Sequence, residues 1–192
     1  MEILIARHGQ DEDNVRNILN GHRDMPLTKL GEEQARKAGE MLKRDNASID
    51  VILCSPLKRA HKTAEIISQI VDGPNPKVDK LLIERDFGIL TGKPISDIPK
   101  YATETLQTDV VNYFITAEGS EDFPTLYKRA QKVLEELRIK YPNNAVLLVC
   151  HGDIGKMIRA AYHGWTWKEG ITTPYFDNSE VLKLEPTKDE LA

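Results

Sequence analysis

Glu2-Ile3-Leu4-Ile5-Ala6-Arg7-His8-Gly9 opens the chain, and Ala145-Val146-Leu147-Leu148-Val149-Cys150-His151-Gly152 repeats its plan near the other end. Each is a short aliphatic run that breaks into a histidine and a glycine. Runs of this length read as strands when stretches of helical period separate them. Residues 28–43 supply one such stretch, with Ala35, Ala38 and Leu42 at helical spacing. A further apolar run at 51–54 is followed by Leu57, Ala60, Ala64 and Ile67, which share one helix face. This alternation predicts an α/β fold layered around a mostly parallel sheet.

Ser55-Pro56 is expected to open the helix after that run: a hydroxyl cap, then a ring whose missing N–H costs nothing in the first turn. Beyond the turn-rich Asp72-Gly73-Pro74-Asn75-Pro76, a short strand is expected over 80–83. Periodicity then fails from Glu84 to Ser120, where Gly88, Gly92, Pro94, Pro99 and Gly119 interrupt it. Residues 85–120 read as a cap-like insertion over a site, with one short helix at 106–114, within a single domain of residues 1–192. A long helix over 123–140, a strand over 146–149, a helix over 154–162 stopped by Gly164 and a last strand over 181–184 complete the expectation. The charged tail reads as loose.

Composition bounds the function. The 192 residues hold 26 Lys+Arg against 30 Asp+Glu, a formal net charge of −4, and 40% are hydrophobic. No basic block stands out, which argues against nucleic acid as a partner. The longest apolar runs fall far short of the roughly 18–20 residues that cross a bilayer. The N-terminus lacks the basic-then-apolar plan of a signal peptide. Cys54 and Cys150 each close an apolar run and read as buried free thiols, so the expected address is the cytoplasm. No heptad seam appears, which leaves monomer and homo-oligomer both open.

In an open α/β sheet, residues just past the carboxyl ends of strands line the ligand crevice. Arg7-His8-Gly9 and His151-Gly152 are so placed, and Arg59 lies in the first turns of the helix after Ser55. Helix N-termini point free N–H groups at the same rim. Two guanidiniums, two imidazoles and helix dipoles around one spot describe a phosphate pocket. Metal binding is the competing use of two histidines. No HExxH, HxH or Cys/His cluster supplies further ligands, and two arginines would repel a cation. Neither a metal nor a cofactor is called for.

In its ordered motifs the chain resembles the histidine phosphatase superfamily, also called the phosphoglycerate mutase-like family. The likeness runs through Arg7-His8-Gly9, Asn14, Gly21 and Asp24-Met25-Pro26-Leu27-Thr28 to Gly31. It continues with Ser55-Pro56-Leu57-Lys58-Arg59-Ala60 and Thr63-Ala64, then Glu84-Arg85-Asp86-Phe87-Gly88 with Gly92. Gly119-Ser120-Glu121 and His151-Gly152 close it. The resemblance implies a three-layer α/β/α sandwich. It implies that His8 is a nucleophile taking the phosphoryl group, that Arg7, Arg59 and His151 bind phosphate oxygens, and that Asn14 adds a hydrogen bond. It also implies that Glu84 protonates the leaving oxygen and then activates water. Gly21, Arg85 and Gly152 are weaker candidates for substrate contact, along with Lys93.

Elementary chemistry agrees with those roles. A neutral imidazole, with an ordinary pKa of about 6.5, needs no strong base to attack phosphorus. A dianion in a dry cleft requires compensation, which the fork of arginine provides. The same pocket can pass its phosphoryl group to water or to a second hydroxyl. Mutases of the family are longer and carry paired arginines in the insertion; this chain has no Arg-Arg pair, and Phe87 stands where mutases carry a tyrosine hydroxyl. Gln10 and Asp11 replace the Glu and the Ser or Thr usual there. The balance favours a metal-independent phosphatase acting on small phosphorylated metabolites, such as sugar phosphates or bisphosphates, over a cofactor-dependent phosphoglycerate mutase or a silent phospho-ligand binding module. Asp153 is expected to cap its helix. His22, His61 and His163 are expected on surfaces or helix faces, and Trp165 and Trp167 in packing or at the rim.

Overall fold

The computed structural model describes residues 1–108 and 112–185. β1 (Glu2–Arg7) leads through one helical turn, α1 (Glu12–Val15), to α2 (Lys29–Arg44). β2 (Val51–Cys54), α3 (Lys58–Val71) and the two-residue β3 (Lys77–Val78) follow. Short 3-10 turns and α4 (Ile98–Tyr101) bring the chain to a hairpin of β4 (Ala102–Gln107) and β5 (Asn112–Ala117). α5 (Phe123–Lys140), β6 (Ala145–Cys150), α6 (Gly152–Tyr162), α7 (Trp167–Thr172) and β7 (Val181–Leu184) complete it.

The five-stranded sheet has the order β3-β2-β6-β1-β7, parallel throughout except for antiparallel β7. Period-two alternation sends Leu4, Ala6, Ile52 and Cys54 to one face, where they pack on Ala38 and Leu42 of α2 and Ala60, Ala64 and Ile67 of α3. Ile3, Ile5, Val51 and Leu53 face the other way, toward Leu126, Val133 and Leu134 of α5 and Ile154, Met157 and Ile158 of α6. Both faces are therefore covered, as parallel strands require, and the result is the three-layer sandwich. A smaller apolar cluster, Phe87, Leu90, Ile98, Phe114 and Ala117, joins the irregular segment to the hairpin.

Three local expectations are corrected. Residues 80–82 form a 3-10 turn rather than a strand, because the Asp79 carboxylate accepts the Leu81 N–H and turns the chain; the strand lies just upstream, paired with Leu53 and Cys54. The helix expected at 106–114 is instead a hairpin, whose tip lies outside the described residues. Its Thr103, Thr105, Tyr113, Phe114, Ile115 and Thr116 are of the β-branched and aromatic kind that suits a pleated surface. α3 begins at Lys58, after Leu57, without a side-chain cap; the Ser55 hydroxyl accepts the Leu57 N–H in the turn ahead of the helix and meets His151 Nε2. α2 and α5 start as expected of capped helices, with Thr28 accepting the Gly31 N–H and Asp122 that of Thr125. Gly164, at φ +67°, follows the end of α6. The tail expected to be loose lies outside the described residues beyond Glu185.

Candidate active site

Strands β1 and β6 are neighbours in parallel register, with Arg7 opposite Cys150. Their carboxyl ends therefore deliver His8 and His151 to one place. The two rings lie 5.0 Å apart, centroid to centroid.

The protonation pattern of each ring follows from its partners. His8 Nδ1 lies 2.7 Å from the Gly9 carbonyl, which can only accept, so Nδ1 holds the proton and Nε2 the lone pair. Burial, with Arg59 and Arg7 nearby, holds the His8 pKa well below the ordinary value of 6.5. His151 Nδ1 accepts from Arg59 Nε at 3.2 Å, so its proton sits on Nε2, 2.7 Å from the Ser55 hydroxyl. Burial and then Arg59 lower its pKa as well.

Arg59 is completely buried and held from several sides. Its guanidinium donates to the backbone carbonyls of Gly21 and Arg23, and Nε lies 3.3 Å from Asp11 Oδ2. Asp11, which sequence reasoning treated only as a departure from pattern, is thus the buried counter-ion of Arg59. It also caps α1, in a reciprocal box with Asn14. Arg7 donates to the Phe176 carbonyl at 2.7 Å and lies over the Tyr175 ring, while its buried Nε has no hydrogen-bond partner among the described residues.

Glu84 is buried at the N-terminus of α6 and accepts the N–H groups of Arg85 at 2.9 Å and Ile154 at 3.2 Å. Burial, reinforced by the Asp153 carboxylate, raises its pKa above the ordinary 4.5. Asp153, expected as a helix cap, instead receives Arg85 Nε at 2.8 Å, and α6 begins two residues earlier than expected, directly after His151. Arg129 of α5 fixes the approach to Glu84 by donating to the carbonyls of Leu81, Ile83 and Glu84. His22 is exposed, as expected, and its ring also donates to the Glu84 carbonyl at 2.8 Å.

These groups surround a cavity of about 240 Å³, lined in part by Arg7, His8, Asn14, Glu84, Arg85 and Gly152. Arg59 and His151 are not among the lining residues, although the His151 ring lies 5.0 Å from that of His8 and Arg59 Nε meets His151 Nδ1. Gly21 is not a lining residue; its carbonyl secures Arg59 instead. Gly152 is required by close approach, since a Cβ there would overlap the Tyr175 hydroxyl. Tyr113, Tyr175 and Asn20 line the cavity without having been anticipated. Tyr175 sits in an irregular stretch that periodicity does not resolve. Asn178 Nδ2 bonds both the His8 carbonyl and Asn14 Oδ1. His61 ion-pairs along α3, while Trp165 and Trp167 stack on His163 and Phe123. Among the described residues no group of three His, Cys, Asp or Glu side chains is placed to share a metal ion.

Residues 3–192 match the histidine phosphatase superfamily, branch 1. The chain belongs to that superfamily. One relative, the uncharacterized phosphatase PhoE of Bacillus subtilis, is 34% identical over 150 residues, covering 78% of this chain and 71% of the relative. A 2,3-bisphosphoglycerate-dependent phosphoglycerate mutase of Mesorhizobium japonicum is 30% identical over 188 residues, covering 95% and 86%. Among solved structures, the mycobacterial glucosyl-3-phosphoglycerate phosphatase complexed with VO3 shares the fold, with a TM-score of 0.81 at 23% identity, covering 98% of this chain and 92% of that one. The chain is accordingly a phosphatase- or mutase-type enzyme of that superfamily. No helix among the described residues is long and apolar enough to cross a membrane.

Proposed function

We propose that the protein is a metal-independent phosphomonoesterase that works through a phosphohistidine on His8. The observation that carries this reading is the His8 ring itself: neutral, with Nδ1 tied to Gly9, and sharing one cavity with Arg7 and Glu84. Its Nε2 lone pair attacks phosphorus, the P–O bond to the leaving group breaks, and Glu84, held as the acid by burial, gives its proton to the departing oxygen. Water then enters. The Glu84 carboxylate takes its proton, the P–N bond breaks, and inorganic phosphate leaves with His8 neutral again. Arg7 and Arg59 offset the charge on the phosphoryl oxygens. His151 carries on Nε2 a proton it can offer to one of them in place of the Ser55 hydroxyl. Residues 85–120 would serve as the cap that excludes water, within one domain.

Rapid quenching with a labelled monoester tests the covalent step. A label stable in base, lost in acid and absent from His8→Ala is expected, with turnover unchanged by EDTA; a strict need for added divalent metal would refute the proposal. The mutase relative, similar over nearly the whole chain, favours a second reading. Isomerisation of 3-phosphoglycerate stimulated by 2,3-bisphosphoglycerate, faster than phosphate release, would establish that one instead.

A further inference from the structure

Away from His8, the cavity wall is Ile18, Leu19, Phe87, Ile95, Ile98 and Phe114. The polar groups beside it are mostly engaged. Asn20 donates to Asp11, the Tyr113 hydroxyl meets the Lys156 ammonium at 2.9 Å, and Asp153 holds Arg85 Nε. Arg85 differs. It is 1% exposed, its guanidinium carbon lies 3.9 Å from the Phe114 ring centre and 4.2 Å from that of Phe123, and Nη1 finds no hydrogen-bond partner among the described residues. Nη1 is closed off from water in a residue that lines the cavity, so an unpaired donor lies at the edge of an apolar chamber. An unpaired buried donor is costly, and a ligand that supplies its acceptor recovers that cost.

The charges decide what kind of acceptor fits. Asp153, 2.8 Å from Nε, already balances the guanidinium, and Glu84 lies beside Asp153. A second carboxylate or phosphate at Nη1 would face that carboxylate across a dry space. A carbonyl or ether oxygen meets no such repulsion. Sugar hydroxyls laid against Ile, Leu and Phe would lose water and gain nothing.

Building on the hydrolase reading above, we propose that this half of the cavity selects a leaving group with an apolar ring or branched body carrying one neutral oxygen acceptor, which Arg85 Nη1 reads. It follows that polyhydroxylated esters, and esters bearing a second anionic group, are poor substrates.

Binding of non-hydrolysable phosphonates to the wild type, by calorimetry, tests this directly. The series is benzylphosphonate, its meta- and para-acetyl derivatives, its meta- and para-carboxy derivatives, and the phosphonate analogue of glycerol phosphate. One acetyl isomer is expected to bind about tenfold tighter than the plain compound, a single charge-assisted hydrogen bond's worth. Both carboxy isomers and the glycerol analogue are expected to bind more weakly than the plain compound. In the double variant R85M/D153N, which removes the buried ion pair as a unit, the acetyl-to-plain ratio should fall to about one. A flat series, or tighter binding of a carboxy isomer or the glycerol analogue, overturns the proposal whether or not the variant folds. Phosphate release from the matching esters separates the two readings. Turnover through His8 with a flat series sinks only the selectivity, whereas the expected binding order with no phosphate released from any ester sinks only the hydrolase.

Discussion

Glu84 shows how much one side chain owes to its surroundings. It follows the apolar Leu81-Leu82-Ile83, and the structure buries it against the backbone N–H groups of Arg85, Asp153 and Ile154. A carboxyl whose folded pKa is raised binds a proton that the unfolded chain has released, between the ordinary 4.5 and the raised value. Stability therefore falls as pH rises through that window. Glu84→Gln keeps an oxygen for the Arg85 and Ile154 N–H groups, which share Oε1, but loses the titration. Urea midpoints of the wild type should thus drop relative to the variant as pH climbs from 4.5, and parallel curves would contradict the assignment. Turnover of the variant should fall by ~10²–10⁴ if Glu84 is the proton donor. The pH profile follows the same logic. With the His8 pKa lowered and that of Glu84 raised, the acid limb moves down, and the alkaline limb set by Glu84 should vanish in Glu84→Gln. His8, Arg7 and Arg59 could be found from sequence because strand ends and a helix start locate them. Asp11, Asp153 and Tyr175 could not, since nothing in a local pattern says that Asp11 meets Arg59 or that Asp153 meets Arg85.

The first loop and α2 meet backbone to backbone. A Cβ on Gly31 would run into the backbone oxygen and nitrogen of Gln10, and one on Gly9 into the backbone of Gly31. Backbone cannot rotate aside as a side chain does. Gly31→Ala is therefore expected to cost about 1–3 kcal/mol and to displace the loop that carries His8, lowering kcat/KM as well as the denaturation midpoint. A variant matching the wild type in both would show that the loop moves freely. The strands of the central sheet were legible because both faces are covered, which leaves aliphatic runs such as residues 145–149. Residues 80–83 misled for the same reason, being apolar yet turned by Asp79. The hairpin was hidden by its glycine- and proline-rich flanks, although the threonines and aromatics of 103–116 carried the signal. Its order rests on long-range ties that periodicity cannot express, such as Tyr113 to Lys156 of α6.

At the scale of the whole molecule, the two faces of the sheet each hide one thiol. Cys54 belongs to the cluster beneath α2 and α3, Cys150 to the one beneath α5 and α6, and both are free and fully buried. Burial raises both pKa values, that of Cys54 to about 11. A thiol that is neither ionised nor reachable reacts only when its layer opens. Maleimide labelling in native buffer should proceed no faster than unfolding, and both sites should label together once urea passes the midpoint. Modification within seconds in the absence of denaturant would mean that a layer opens independently.

α6 begins at the residue after His151, and its first turn also supplies the Ile154 amide that grips Glu84 and the Asp153 that grips Arg85. One helix thus serves as the common mount for the His151 ring, the Glu84 carboxyl and the Arg85 guanidinium. Any tilt of that helix misaligns all three in unison. Damage at its far end, around Tyr162, should accordingly depress every stage of turnover by the same proportion, instead of starving a single stage.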